Sequence, residues 1–200
     1  MLFRSPMQTW LRRIKDSKRK KEAIRKLSST LPEPLSFDGR FDEREEQYEF
    51  LFDGRRTPFN SLSDGYKAFI SWAGDLIGHL CDVTPPKMKI DEVSGIVLVD
   101  EIDLHLHPSW QRIVVPTIAK AFPRLQFVMT SHSPLVASTV RHENIFITTI
   151  DGDGYPTVKQ IDEKAFGRGA DQLLLSSYFG LDRKSTRLNS SHVALSRMPS

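Results

Sequence analysis

Two short runs of β-formers constrain this chain more than any other feature: Ile96-Val97-Leu98-Val99 and Leu125-Gln126-Phe127-Val128-Met129. The first places four apolar residues in succession without alternation, the pattern of a strand covered on both faces of a parallel sheet. Each run passes directly into polar residues, Asp100-Glu101 after the first and Thr130-Ser131-His132 after the second. Parallel sheets take their ligands at the carboxyl ends of their strands, where these groups fall. Between the runs, Pro108 predicts a helix start, with Trp110, Ile113, Val114, Ile118 and Ala121 on one side and a bend at Pro116.

The polar residues suit the handling of a nucleoside triphosphate. Mg²⁺ takes oxygen ligands and keeps several waters, so one carboxylate such as Asp100 can hold it directly or through water. A second carboxylate one residue on, Glu101, can orient or deprotonate the water that attacks the γ-phosphorus. His132, at the end of the next strand, can donate to the γ-phosphate, and Ser133-Pro134 has the form of an N-cap followed by proline at the first helical position.

Upstream, Leu62-Ser63-Asp64-Gly65-Tyr66 opens a helical run in which Phe69, Trp72, Ala73, Leu76, Ile77 and Leu80 form one apolar stripe. Ser63 is an N-cap, Asp64 complements the positive end of the dipole, and Gly65 permits a close backbone approach. A helix N-terminus with a hydroxyl and bare amides is suited to phosphate.

Together these segments resemble the ABC-type ATPases: LSDGYK resembles their signature motif, IVLVDE their Walker B strand and TSHSP their switch-histidine loop. The wording DEIDLHLHP and SHSP is most similar to the stand-alone, non-transporter branch, which includes RecF/SMC-like, OLD-type and AAA_21-type AAA family proteins. The resemblance covers Tyr48 to Leu181. It implies an α/β P-loop NTPase fold with an ABC-ATPase-like parallel-sheet lobe. It further implies Mg²⁺ at Asp100, a catalytic base at Glu101 and a γ-phosphate sensor at His132. Ser63 and Gly65 would then contact the ATP of the opposite subunit in a homodimer that closes around ATP, with Leu104 to His107 crossing the interface. His107 stands where transporter-type members carry an aspartate, so its contact is left open. A metal site at Asp103, His105 and His107 is a weaker reading, because no second ligand group accompanies them.

ATP also needs a phosphate loop, GxxxxGK[ST], and no such run occurs in these residues. The expectation is therefore an incomplete lobe, lacking the Walker A half, which does not hydrolyse ATP alone and exposes apolar sheet edges. Residues 182–200, DRKSTRLNSSHVALSRMPS, resemble a translated short-read sequencing adapter. They are expected to be disordered and are set aside from functional reading. Of 28 basic and 25 acidic residues, this tail holds four and one, which leaves 24 of each and no net charge in the remainder.

Charge is local instead. Residues 1–31 carry ten basic and two acidic residues, among them Arg12-Arg13 and Lys18-Arg19-Lys20-Lys21, while 32–181 carry 14 and 22. Met7, Trp10, Leu11, Ile14, Ile24 and Leu27 place an interrupted apolar stripe on this N-terminal helical segment, which ends at Leu31-Pro32-Glu33-Pro34. Three divisions follow: a basic arm with a polar, poorly ordered linker over 1–47, the ATPase part over 48–181 and the tail over 182–200. Within the second, Tyr48–Phe52 reads as a strand ending at the Asp53-Gly54 turn, Ile145–Ile150 and Thr157–Gln160 as a hairpin about Asp151–Gly154, and Gln172–Gly180 as a closing helix.

The single cysteine, Cys81, excludes a disulfide framework and fits a reducing cytoplasm. No run approaches the about 20 apolar residues of a membrane span. The functional expectation is ATP binding and hydrolysis by the parent ATPase, in DNA repair or phage defence, with DNA as a candidate partner for the basic arm. The alternatives are a non-enzymatic ATP-gated interaction module and a decayed half-site.

Overall fold

The computed structural model describes residues 6–150, 152–160, 164–174, 176, 179 and 192–196. Two compact units form, one from residues 1–93 with 120–123, the other from 94–119 with 124–200. The division drawn from the sequence at 47/48 falls inside the first unit.

The N-terminal stripe folds as two helices, α1 (Pro6–Arg13) and α2 (Ser17–Thr30), because Asp16 intervenes as a cap whose carboxylate accepts from Lys18 N at 2.9 Å. Leu31 ends α2 with an extended backbone ahead of Pro32. The segment expected to be a poorly ordered linker instead contributes two short strands, β1 (Leu35–Ser36) and β2 (Phe41–Asp42). Both pair antiparallel with β3 (Gln47–Phe52), which continues into β4 (Arg55–Pro58). Asp53 and Gly54 carry the turn with φ of +50° and +72°, the left-handed pair that a two-residue hairpin requires. What orders this segment is aromatic burial: Phe37 stacks on Phe50 at 4.7 Å and meets Tyr48 edge-on at 5.5 Å.

Helix α3 (Asp64–Val83) buries Phe69, Ala73, Ile77 and Leu80 as the spacing predicts, with Trp72 and Leu76 half-buried. It has a second buried face, made by Gly74 and Gly78, against which α1 lies. A Cβ added at Gly78 would stand 2.7 Å from the Trp10 ring, and one at Gly74 would stand 2.9 Å from Met7 Cβ. Gly78→Val is therefore expected to unseat α1 and lower stability by about 1–3 kcal/mol. Urea titration followed through tryptophan fluorescence checks this. Gly152→Val, where an added Cβ meets nothing within 4 Å, is the control.

The second unit begins with β5 (Gly95–Val99) and continues through α4 (Pro108–Gln111), α5 (Val114–Ala121, whose last two residues belong to the first unit), β6 (Leu125–Ser131) and α6 (Pro134–Ala137). Then come β7 (Ile145–Ile150), β8 (Pro156–Gln160), α7 (Ala170–Leu174) and β9 (His192–Ser196). The sheet order is β5-β6-β9-β7-β8. Strands β5 and β6 are parallel, Val99 opposite Met129, but the other three pairings are antiparallel, so the sheet is mixed where a parallel one was expected. The β7–β8 hairpin imposes one reversal, and β9 enters antiparallel to both β6 and β7.

Strand β5 departs from its expected burial. Val99 is buried, whereas Ile96 and Leu98, which alternate onto the other face, are 67% and 77% exposed; among the described residues β5 has one strand neighbour and lies at the sheet edge. The tail expected to be disordered supplies β9; its other residues, 182–191 and 197–200, lie outside those described. Strand pairing uses backbone groups, so the segment's composition does not oppose it.

The helix expected from Pro108 through Ala121 is interrupted at Arg112–Ile113 rather than bent at Pro116. Restarting at Val114 puts Pro116 in the first turn of α5, where a missing N–H costs no intrahelical bond. Of the closing helix expected over Gln172–Gly180, residues 172–174 fall in α7, which starts earlier at Ala170, and Ser176 and Phe179 lie in a bend and a turn. Among the described residues no helix is long and apolar enough to cross a membrane.

Candidate functional site

The carboxyl ends of β5 and β6 converge because the two strands are parallel and in register. The parallel register that sets Val99 beside Met129 carries Asp100 and Thr130 to the same end. Thr130 Oγ1 donates to Asp100 Oδ1 and accepts from Glu101 N at 2.8 Å. The backbone O of Thr130 accepts from Ile102 N at 3.0 Å. One residue thus engages three successive positions of the acidic loop.

Glu101 holds φ of +48°, and His105 holds +61°. The left-handed region costs a side-chain-bearing residue roughly 1–2 kcal/mol, so the surroundings must sustain it. Ile102 and Leu106 do so by burial, each 7% exposed, while turns close Leu104 N onto Glu101 O at 2.9 Å and Leu106 N onto Asp103 O at 3.1 Å. Asp100 is exposed at the strand end and Glu101 is half-buried.

His132 lies on the adjoining loop, exposed, with its backbone N donating to Asp103 Oδ1 at 3.3 Å. Ser133 caps α6 as its sequence context predicts, its Oγ accepting from Leu135 N at 3.1 Å and Val136 N at 3.4 Å. The same hydroxyl donates to Gln111 Oε1 at 2.6 Å, and Gln111 Nε2 donates to Leu106 O at 3.0 Å. His107 Nδ1 shares a hydrogen bond with Ser109 Oγ at 2.8 Å and accepts from Ser109 N at 3.3 Å as the cap of α4. Capping, rather than metal ligation, is the role its geometry fits.

The structure thus brings Asp100, Glu101 and His132 onto adjoining loops of one unit. Ser63 and Gly65 belong to the other unit, at the start of α3. Ser63 is the N-cap residue, yet its hydroxyl makes no capping bond. Thr130 and Gln111 are the participants that reading the sequence missed, and Asp103, weighed there as a metal ligand, instead accepts from His132 N. Thr130 stood in view as the residue after a β-run, but its partners follow from strand register. Nothing in the sequence marks Gln111.

As a donor set, Asp100 and Glu101 offer hard carboxylate oxygens on a partly open loop, which fits Mg²⁺. Thr130 takes one of the roughly four lone-pair sites of the Asp100 carboxylate, and the rest can serve a cation or its waters.

Residues 1–138 match the family described as "AAA domain, putative AbiEii toxin, Type IV TA system". The chain is 42% identical over 86 residues to the "Retron Ec83 probable ATPase" of Escherichia coli, covering 43% of this chain and 16% of that one. It is 33% identical over 154 residues to the Septu protein PtuA of Bacillus mycoides, covering 74% of this chain and 21% of the relative. The chain therefore spans about a fifth or less of the length of these curated relatives. Among solved structures it is similar to one from work on ATP-driven dimerization and DNA-stimulated activation of SMC ATPases, with a TM-score of 0.54 at 17% identity. That likeness covers 72% of this chain and 86% of that one, and it speaks for the fold alone.

Proposed function

From the premise that the chain belongs to the AAA_21 family of ABC/AAA-type ATPases and has a P-loop NTPase-like α/β fold, we propose that it carries the water-activating and phosphate-sensing part of an ATP-hydrolysing site. The observation that supports this best is the acid pair at the carboxyl end of β5, held by Thr130 of the parallel strand β6 with Glu101 in a left-handed conformation. Asp100 is the residue to hold Mg²⁺, which when bound offsets the charge of the β- and γ-phosphate oxygens. Glu101 orients the attacking water and takes its proton. His132, tethered through its backbone to Asp103, donates to the γ-phosphate.

In this reading Ser63 and Gly65 serve the ATP of a second copy, so that ATP closes a homodimer and hydrolysis reopens it. Leu104, 54% exposed on the loop after the acid pair, is placed to meet that copy. The phosphate loop comes from outside these residues, and the chain by itself turns over no ATP. The parent acts in the cytoplasm, in phage defence or DNA repair. DNA contact falls to the exposed Arg13, Lys15, Lys18, Lys21 and Arg25 of the N-terminal helical segment.

The test is sedimentation and phosphate release on the parent chain that includes a phosphate loop. The proposal expects Mg²⁺-dependent turnover and a dimer that forms with ATP. Dimerisation without turnover favours an ATP-gated interaction module, and neither response identifies a decayed half-site. Turnover by the 200-residue chain alone, lost in Glu101→Gln, overturns the division of the site.

A further inference from the structure

We infer that Thr130 is a positioning residue of this site, setting the Glu101 peptide and the Asp100 carboxylate with one hydroxyl. The inference rests on the ATPase reading for its consequence, but the clamp itself is independent of it. The hydroxyl of threonine has one proton to give and lone pairs to accept with, and here both are used. It donates to Asp100 Oδ1 and accepts from Glu101 N at 2.8 Å. The backbone of the same residue accepts from Ile102 N at 3.0 Å, which anchors the loop one position further on.

The clamp acts where the backbone most needs it. Glu101 sits at φ +48°, a region that glutamate does not favour, and its amide is the group that Thr130 holds. Without that acceptor the peptide is free to relax, swinging the Glu101 side chain away from where the strand end directs it. The Asp100 bond adds orientation, since a carboxylate held at one oxygen has lost a rotational freedom that a cation site has no use for. The only proton of this hydroxyl is committed to Asp100, so Thr130 has none to donate to substrate and acts through its neighbours.

Two variants separate the hydroxyl from the shape. Thr130→Val keeps the β-branched outline and removes both hydrogen bonds, whereas Thr130→Ser keeps the hydroxyl. In the 200-residue chain, amide hydrogen exchange at Glu101 is expected to accelerate about tenfold in Thr130→Val and to stay near wild type in Thr130→Ser. Exchange at Ile102, whose acceptor is backbone, should change little in either. Equal exchange at Glu101 in all three proteins overturns the clamp, and so does equal acceleration at Glu101 and Ile102, which marks general loosening.

In the parent with its phosphate loop, Thr130→Val is expected to lower kcat about tenfold or more at nearly unchanged KM for ATP, with recovery in Thr130→Ser. A loss shared equally by both variants overturns positioning by the hydroxyl, as does unaltered kcat in Thr130→Val despite accelerated exchange at Glu101. If Glu101→Gln also leaves turnover intact, the ATPase reading of the acid pair has failed, while the exchange result still decides the clamp.

Discussion

Glu101→Gln is expected to reduce ATP turnover by the parent ATPase by about 10²–10⁴-fold, the contribution typical of a positioned general base. The amide keeps the size of the carboxylate but cannot accept the proton of the attacking water. Its effect should fall on kcat, because the side chain acts on the water and not on nucleotide affinity. The fold should not move, since what holds this residue is its own backbone: its N–H on Thr130 Oγ1 and its carbonyl accepting from Leu104 N. Nucleotide binding measured by calorimetry should stay within about threefold of wild type. The variant should also accumulate the ATP-bound dimer. Turnover close to wild type means that Glu101 is only a turn residue and that the base lies elsewhere.

The second large effect concerns stability. Arg19→Ala is expected to cost about 3–5 kcal/mol, the range for breaking a buried ion pair. The Arg19 side chain is 10% exposed and sits in the middle of the basic run, yet it faces inward. Its guanidinium donates to Glu22 Oε2, Pro85 O and Met88 O, each at 2.9 Å. The same Glu22 accepts from Ile90 N at 2.8 Å. Alanine leaves a partly buried carboxylate and two carbonyls without their partner, and it frees the 85–90 segment from α2. Native domains are stable by about 5–15 kcal/mol, so the loss is a large part of the total. Urea unfolding of Arg19→Ala beside Lys18→Ala, an exposed neighbour, measures it. Equal midpoints exclude the latch. Any DNA-binding test that neutralises the run must spare Arg19, or it will read unfolding as lost affinity.

Much of the candidate site's geometry was legible because it is local. Asp100-Glu101 and His132 each follow directly on a β-run, so knowing that two strands end there sufficed to group them. Ser133-Pro134 announced a helix start, and Asp53-Gly54 announced a hairpin, because capping and left-handed turns depend on residues that carry those preferences themselves. Pattern failed where the determinant was distant or was an absence of side chain. Gly74 and Gly78 added nothing to an apolar count, yet they make the face that receives Met7 and Trp10. Arg19 counted as surface charge until the carbonyls of Pro85 and Met88 gave it a place inside. The polar segment before Tyr48 reads as poorly ordered because its few aromatics, Phe37 and Phe41, find ring partners only once β3 is beside them.

By itself the sequence determined the strand ends that carry the acid pair and the histidine, the long helix behind the Ser63 cap, and the family to which these belong, because each depends on residues adjacent in the chain. The tertiary structure alone decided that Thr130 clamps the acid pair, that Arg19 is a latch, that β5 is an edge with Ile96 and Leu98 exposed, and that β9 joins the sheet. Those outcomes depend on strand register and on which backbone groups meet across dozens of residues. Hydrogen bonding and burial of that range are set by the fold as a whole, and no local pattern encodes them.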